Sequence, residues 1–181
     1  MTYTKEKFLN TIFNVEGGYV NDAKDSGGET NYGITEAVAR QNGYIGNMRN
    51  LPRELASKIY ADKYWNALSL DSVDAISSMV ALKLADIAVN CGTGRAGEFL
   101  QRALNVLNNA GIKHPDIAVD GQVGGGTLSA LKAFYRDRGD KGMDVMHKML
   151  NAMQGAFYIG LAEKREKDES FIFGWFNNRI S

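Results

Sequence analysis

Apolar residues recur at helical spacing through most of the chain. Phe8, Leu9, Ile12 and Phe13 form one face of a first helix ending near Glu16, with Thr4 as its expected cap. Turn formers then dominate to Thr35, so this stretch reads as an irregular loop or short β-hairpin. Thr35 precedes a helical segment, Glu36 to Gln41, that Asn42-Gly43 stops. After a loop over 44–51, Pro52 suits the first turn of a helix carrying Leu55, Ile59 and Tyr60. From Val73 to Val89 apolar residues lie around most of a helix, which predicts a central one. Phe99, Leu100, Ala103, Leu104 and Leu107 give an amphipathic helix. Residues 108–127 are rich in turn formers, and Thr127 is placed to cap the next helix. A further turn is expected at 137–142. The stripe Met143, Met146, Met149, Met153, Phe157 and Leu161 then reads as core. The pattern is that of a mainly α protein.

Composition narrows the class without naming a chemistry. The 181 residues suffice for one well-buried domain or a compact domain with an extension, and 44% hydrophobic with 23% charged residues is a globular balance. With 21 basic and 21 acidic residues the formal charge is +0, so charge offers no argument for nucleic acid or an anionic membrane. Gly124-Gly125-Gly126-Thr127 lacks a P-loop lysine, and Gly92-x-Gly94-x-x-Gly97 follows an apparent helix where a dinucleotide fingerprint needs a strand. Cys91 is the only cysteine, and His114 and His147 lie far from it in sequence. No disulfide framework, metal site or cofactor is therefore expected. No apolar run approaches the 18 residues or so of a spanning helix, so stable membrane insertion is not expected. The N-terminus lacks an apolar signal-peptide core.

The candidate chemistry lies in Glu16 to Thr35. Glu16 ends the first helix on the side of its apolar face, and Asp25 stands nine residues later, just before Ser26-Gly27-Gly28. Two acids in different surroundings across a cleft suit glycosidic cleavage, one donating a proton and one helping water attack. The same residues equally serve as loop acids bonding their own backbone.

The whole stretch resembles glycoside hydrolase family 108, lysozyme-like muramidases found among phage endolysins and secretion-associated wall hydrolases. Glu16-Gly17-Gly18-Tyr19 matches an EGG-aromatic motif, and Asp25 to Thr35 match a D-x-G-G-x-T-x-aromatic-G-I-T run. The resemblance implies a lysozyme-like helical fold with Glu16 as general acid, Asp25 across the scissile bond and Thr30 near the water. The Glu–Asp spacing is also that of phage-type lysozymes, but Thr30 follows Asp25 after four residues instead of five, which leaves Asn31 and Tyr32 as alternatives. Further on, Tyr64-Trp65 resembles a Y-W pair and supplies candidates for a cleft wall. Asp86 to Gly92 resembles a D-x-A-V-N-x-G segment, with Asn90 either facing the cleft or bonding backbone. Leu100 to Asn105 with Asp120 to Gly124 resembles a peptidoglycan-binding motif, which makes Gln101 and Asp120 candidate wall contacts. Gly174 to Arg179 resembles the family's terminal G-W-x-N-R element.

The expectation is then a catalytic region over 1–93 and a helical, peptidoglycan-binding-like region over 94–181. The implied reaction is hydrolysis, with inversion, of the β-1,4 bond between N-acetylmuramic acid and N-acetylglucosamine. Chitinase-like or lytic transglycosylase activity and a non-enzymatic wall-binding role are the alternatives. Peptidoglycan glycan strands are the expected partner. The enzyme would be made in the cytoplasm without a signal peptide, act in the periplasm or on the wall, and depend on a holin or a secretion system for access.

Overall fold

The computed structural model describes residues 2–16, 18–20 and 29–180, without the side chains of Val15 and Glu16. It is mainly α, with eight α-helices and one two-stranded hairpin among the described residues. Two compact units divide it, Met1–Asn66 and Ala67–Ser181.

In the first unit, α1 (Tyr3–Glu16) buries Phe8, Leu9 and Ile12. Its cap is one residue pair earlier than the sequence suggests. The Thr2 hydroxyl accepts the Lys5 N–H at 3.3 Å, while Thr4 lies inside the helix and is buried. Strands β1 (Thr30–Asn31) and β2 (Ile34–Thr35) pair antiparallel through a two-residue turn, Tyr32-Gly33. Both turn residues have positive φ, 53° and 71°, as the hairpin twist requires. Thr35 caps α2 (Glu36–Gln41) through the Val38 N–H, and Gly43 at φ 83° ends it.

After Pro52, α3 (Arg53–Tyr60) continues directly into a π-helical stretch, Ala61–Trp65. This corrects the expected packing. Helical spacing sets Tyr60 toward the core, with Tyr64 and Trp65 both expected as candidates for a cleft wall. The wider i→i+5 turn adds a residue per revolution, so Tyr60, Ala61 and Trp65 are buried while Tyr64 is half-exposed.

In the second unit, the expected helix from Val73 to Val89 is two. α4 (Leu70–Asp74) and α5 (Ser78–Cys91) are separated at Ser77, whose extended backbone and hydroxyl cap α5 through the Val80 N–H. α5 is central, as its all-round apolar pattern predicts: Val80, Ala81, Leu84, Ala85, Ile87 and Ala88 have no exposed surface. It packs on α4, α6 (Thr93–Leu107) and α7 (Gly125–Lys164). Gly124, not Thr127, is the N-cap of α7, and Thr127 is buried inside its first turn. The turn expected at 137–142 is a sharp kink at Gly139, whose φ of 58° and ψ of −151° are not helical and divide α7 into two helical segments. Met143 and Met146 are core residues. α8 (Glu169–Arg179) has no buried residue, yet Trp175 packs on the Tyr158 ring at 5.0 Å.

Candidate active site

Glu16 is the last residue of α1, and Phe13 lies one turn before it. The Phe13 ring meets the edge of Tyr32 at 5.5 Å and of Tyr60 at 6.0 Å. The Tyr60 hydroxyl donates to the Tyr32 carbonyl at 2.8 Å, so the hairpin turn is tied to α3 beside the end of α1. Tyr64 stacks on Tyr60 at 6.1 Å and keeps part of its ring exposed. These rings form an aromatic wall in the first unit. Asp25 and the Glu16 side chain lie outside the described residues.

The remaining candidates of this unit take different places. Thr30 is half-buried, and its backbone exchanges 2.9 Å hydrogen bonds with Val20, which brings the segment after Tyr19 against the hairpin. Asn31 is buried, and its amide donates to the carbonyls of Met48 at 2.7 Å and Arg49 at 3.3 Å. Its donor therefore holds the turn over residues 48–50. Trp65 has no exposed surface and packs 5.6 Å from Phe8; as a cleft-wall residue it is corrected to core.

Two cations that carry no motif join the wall. The Arg49 guanidinium lies 4.2 Å from the centre of the Tyr19 ring, and that of Arg53 lies 5.0 Å from Phe13. Arg53 also donates to the Asn10 side chain at 2.8 Å. Tyr19 and Phe13 stand three residues after and before Glu16, so both cations attach to rings that flank it in sequence. Neither arginine has an ion-pair partner among the described residues. Sequence reading passes over them because each gains its neighbour only through folding, Arg49 by way of Asn31.

The candidates of the second unit are largely committed to structure. Asn90 is exposed on the last turn of α5, with its amide on the Asp86 carbonyl at 2.7 Å and carboxylate at 3.1 Å. Asp86 also receives Gln154 at 2.9 Å and the Arg179 guanidinium at 3.0 Å, while Lys83 donates to the Arg179 carbonyl at 2.6 Å. Burial pushes the Lys83 pKa down, with Asp86 acting against it. This network fastens the end of α8 to α5, and it gives the terminal arginine a structural reason.

Gln101, placed by sequence as a wall contact, is corrected to a buried loop clip. Its amide nitrogen donates to the Asp120 carboxylate at 2.7 Å and the Gln122 carbonyl at 3.0 Å, and its oxygen accepts the N–H groups of Asp120 and Gly121. Asn105, on the same face of α6, and Asn108, at its C-cap, bind Ile117 and Asp116 of that loop. The loop runs so close to α6 that a Cβ on Gly97 would strike the Gly121 carbonyl. Asp120 is exposed. The Gln122 N–H, then the Gln101 amide, hold its carboxyl below the ordinary range. No three His, Cys, Asp or Glu residues gather as metal ligands among the described residues.

The Glycosyl hydrolase 108 family matches residues 9–92. That segment contains the end of α1, the hairpin and the aromatic wall. Residues 9–92 thus resemble the glycosyl hydrolases of that family. The model described as Predicted Peptidoglycan domain matches residues 95–180 of the same chain. Among solved structures, the chain is similar to one titled "Structure of Brucella abortus SagA", with 28% identity, a TM-score of 0.64, and coverage of 96% of this chain and 88% of that one. No curated protein matches at a significant level. The chain is thus a glycoside hydrolase with peptidoglycan as its substrate. None of its described helices is long and apolar enough to cross a membrane.

Proposed function

We propose that this hydrolase is an N-acetylmuramidase that cleaves the β-1,4 bond between N-acetylmuramic acid and N-acetylglucosamine. Glu16 is the general acid, protonating the leaving oxygen. Asp25 is the base or the electrostatic anchor for the attacking water, with the Thr30 hydroxyl beside it, and the reaction inverts the anomeric centre. The observation that carries this reading is the position of Glu16 within the family-108 match, at the end of α1 and one turn from the Phe13–Tyr32–Tyr60 wall. A helix end followed by a loop gives an acid both a fixed backbone and a wet neighbour.

Tyr32 and Tyr64 are the rings that offer surface to a sugar face, while Asn31 acts through the turn it holds. The guanidinium groups of Arg49 and Arg53, which have no ion-pair partner among the described residues, favour a glycan bearing acidic peptides over neutral chitin. Access to the wall through a holin or a secretion system belongs to the same reading. Mass spectrometry of products from purified sacculi tests the bond: new reducing-end N-acetylmuramic acid is expected. Anhydro ends would make the enzyme a lytic transglycosylase, and sacculus binding without new ends would leave a wall-binding protein.

A further inference from the structure

Outside the site just described, the peptidoglycan-domain half contains a cavity of about 290 Å³ lined by Leu107, Phe134, Arg138, Lys141, Gly142 and Val145. The kink at Gly139 creates its shape. That residue's φ of 58° breaks the line of α7, so Phe134 from before the kink and Val145 from after it close on one space with Leu107 of α6. Gly142 belongs to the same device, since a Cβ there would run into the Cβ of Arg138 and press to 3.3 Å on the Phe134 ring. The missing side chain lets the backbone of Gly142 pack closely on Arg138 and Phe134. Within the cavity lining Phe134 is buried and Val145 is 38% exposed at the mouth.

The rim is cationic. Asp137 is the carboxylate paired with Arg138, at 3.1 Å, and it is shared with Lys113 at 2.7 Å. Lys141 has no ion-pair partner among the described residues. A pocket with an apolar floor and excess positive charge at its edge fits a ligand with small apolar groups and carboxylates close together. Peptidoglycan offers such a ligand in its stem peptides, where alanine methyls alternate with free carboxylates. The sugar backbone of the intact wall carries acetamido and lactyl methyls, but its lactyl carboxyls are tied up in amide bonds to the stems, so the free carboxylates belong to the peptide.

We infer that this cavity binds the acidic stem peptide of peptidoglycan, with Arg138 and Lys141 on its carboxylates and its methyl groups over Leu107, Phe134 and Val145. The inference rests on peptidoglycan as the substrate. It adds a second grip, separate from the residues that cut.

Co-sedimentation of the full chain with intact sacculi, and with sacculi stripped of stem peptides by an amidase, tests it. The Lys141→Glu variant should lose roughly fivefold to tenfold in affinity for intact sacculi, as expected when a favourable exposed pairing becomes repulsive. On stripped glycan it should bind like the parent, and its turnover of a short soluble glycan should be unchanged. Val145→Asn tests the apolar contact at the mouth, with a similar loss expected. Lys148→Glu makes the same charge change at another exposed position of α7 and should bind as the parent does.

Parental binding of intact sacculi by both Lys141→Glu and Val145→Asn would overturn the proposal. So would an equal loss on stripped glycan, or a loss of self-association in sedimentation velocity with sacculus binding intact. Absence of any muramidase product would refute the reaction proposed above and leave these binding outcomes readable.

Discussion

At the scale of the residue, Glu16 and Gln101 show opposite uses of a polar side chain. Glu16 is proposed to act on substrate, so Glu16→Gln should lower turnover of sacculi by about 100-fold to 10,000-fold with little change of shape. Turbidity loss alongside circular dichroism checks this, and activity within about threefold of the parent would remove Glu16 from the acid role. Gln101 instead satisfies a loop from inside. Gln101→Ala leaves buried donors and acceptors unpaired and should cost about 2–4 kcal/mol in urea unfolding. Asp120 adds a pH dependence of known sign. Its folded carboxyl is held below the ordinary range, so its contribution is present above the unfolded carboxylate pKa and is lost as pH falls through the folded value. Asp120→Ala should therefore narrow the gap in melting temperature between neutral and acid pH, and an unchanged gap would remove Asp120 from that role. The motif containing Gln101 and Asp120 was legible in sequence, but its direction was not. Amides that hold a loop and amides that hold a sugar have the same chemistry, and only burial separates them.

At the scale of the element, two irregularities decide where side chains go. The π-helical stretch after α3 turns Trp65 inward, so Trp65→Ala should cost about 3–5 kcal/mol, as deletion of a buried aromatic does. Its loss would appear in unfolding curves. Gly139 is the second irregularity. A Cβ there meets nothing within 4 Å, but its φ of 58° with ψ of −151° is a region that side chains avoid. Gly139→Ala should thus cost about 1–3 kcal/mol through backbone strain alone. Equal stability of parent and variant would mean that the kink relaxes. Periodicity foresaw α1, α3 and α6 because each buries one regular stripe, while the Thr35 cap and the Asn42-Gly43 stop marked α2, which buries only Ala39. It missed the Ser77 break and the π turn because an apolar stretch can look continuous even where neighbouring elements demand a change of direction.

At the scale of the whole molecule, family limits and packing limits differ. The hydrolase match ends at residue 92, whereas the second compact unit begins at Ala67 and takes in α5. α5 is buried against α6 and α7, and its Asp86 and Lys83 hold Arg179 of α8. A fragment of residues 94–181 would therefore lose its central helix and expose the apolar faces that cover it. Such a fragment should unfold without a cooperative transition, while residues 67–181 should retain one. Chemical denaturation of the two fragments makes the comparison, and equal cooperativity would show that α5 is dispensable to the unit.

The sequence by itself determined that the chain is mainly helical, that its most apolar segment is central, and which residues carry the family's motif. These follow from the spacing of apolar side chains and from local turn chemistry, both written within a few residues of each other. It also singled out Glu16 and Asp25 as the candidate pair of acids. Tertiary structure alone decided that Trp65 and Gln101 are interior, that Asn31 acts through Met48 and Arg49, and that Arg49 and Arg53 lie on the rings flanking Glu16. Those outcomes depend on contacts between residues distant in the chain. A hydrogen bond from Asn31 to Met48, or from Lys83 to Arg179, leaves no local periodicity to read, because its partner is chosen by how whole elements pack.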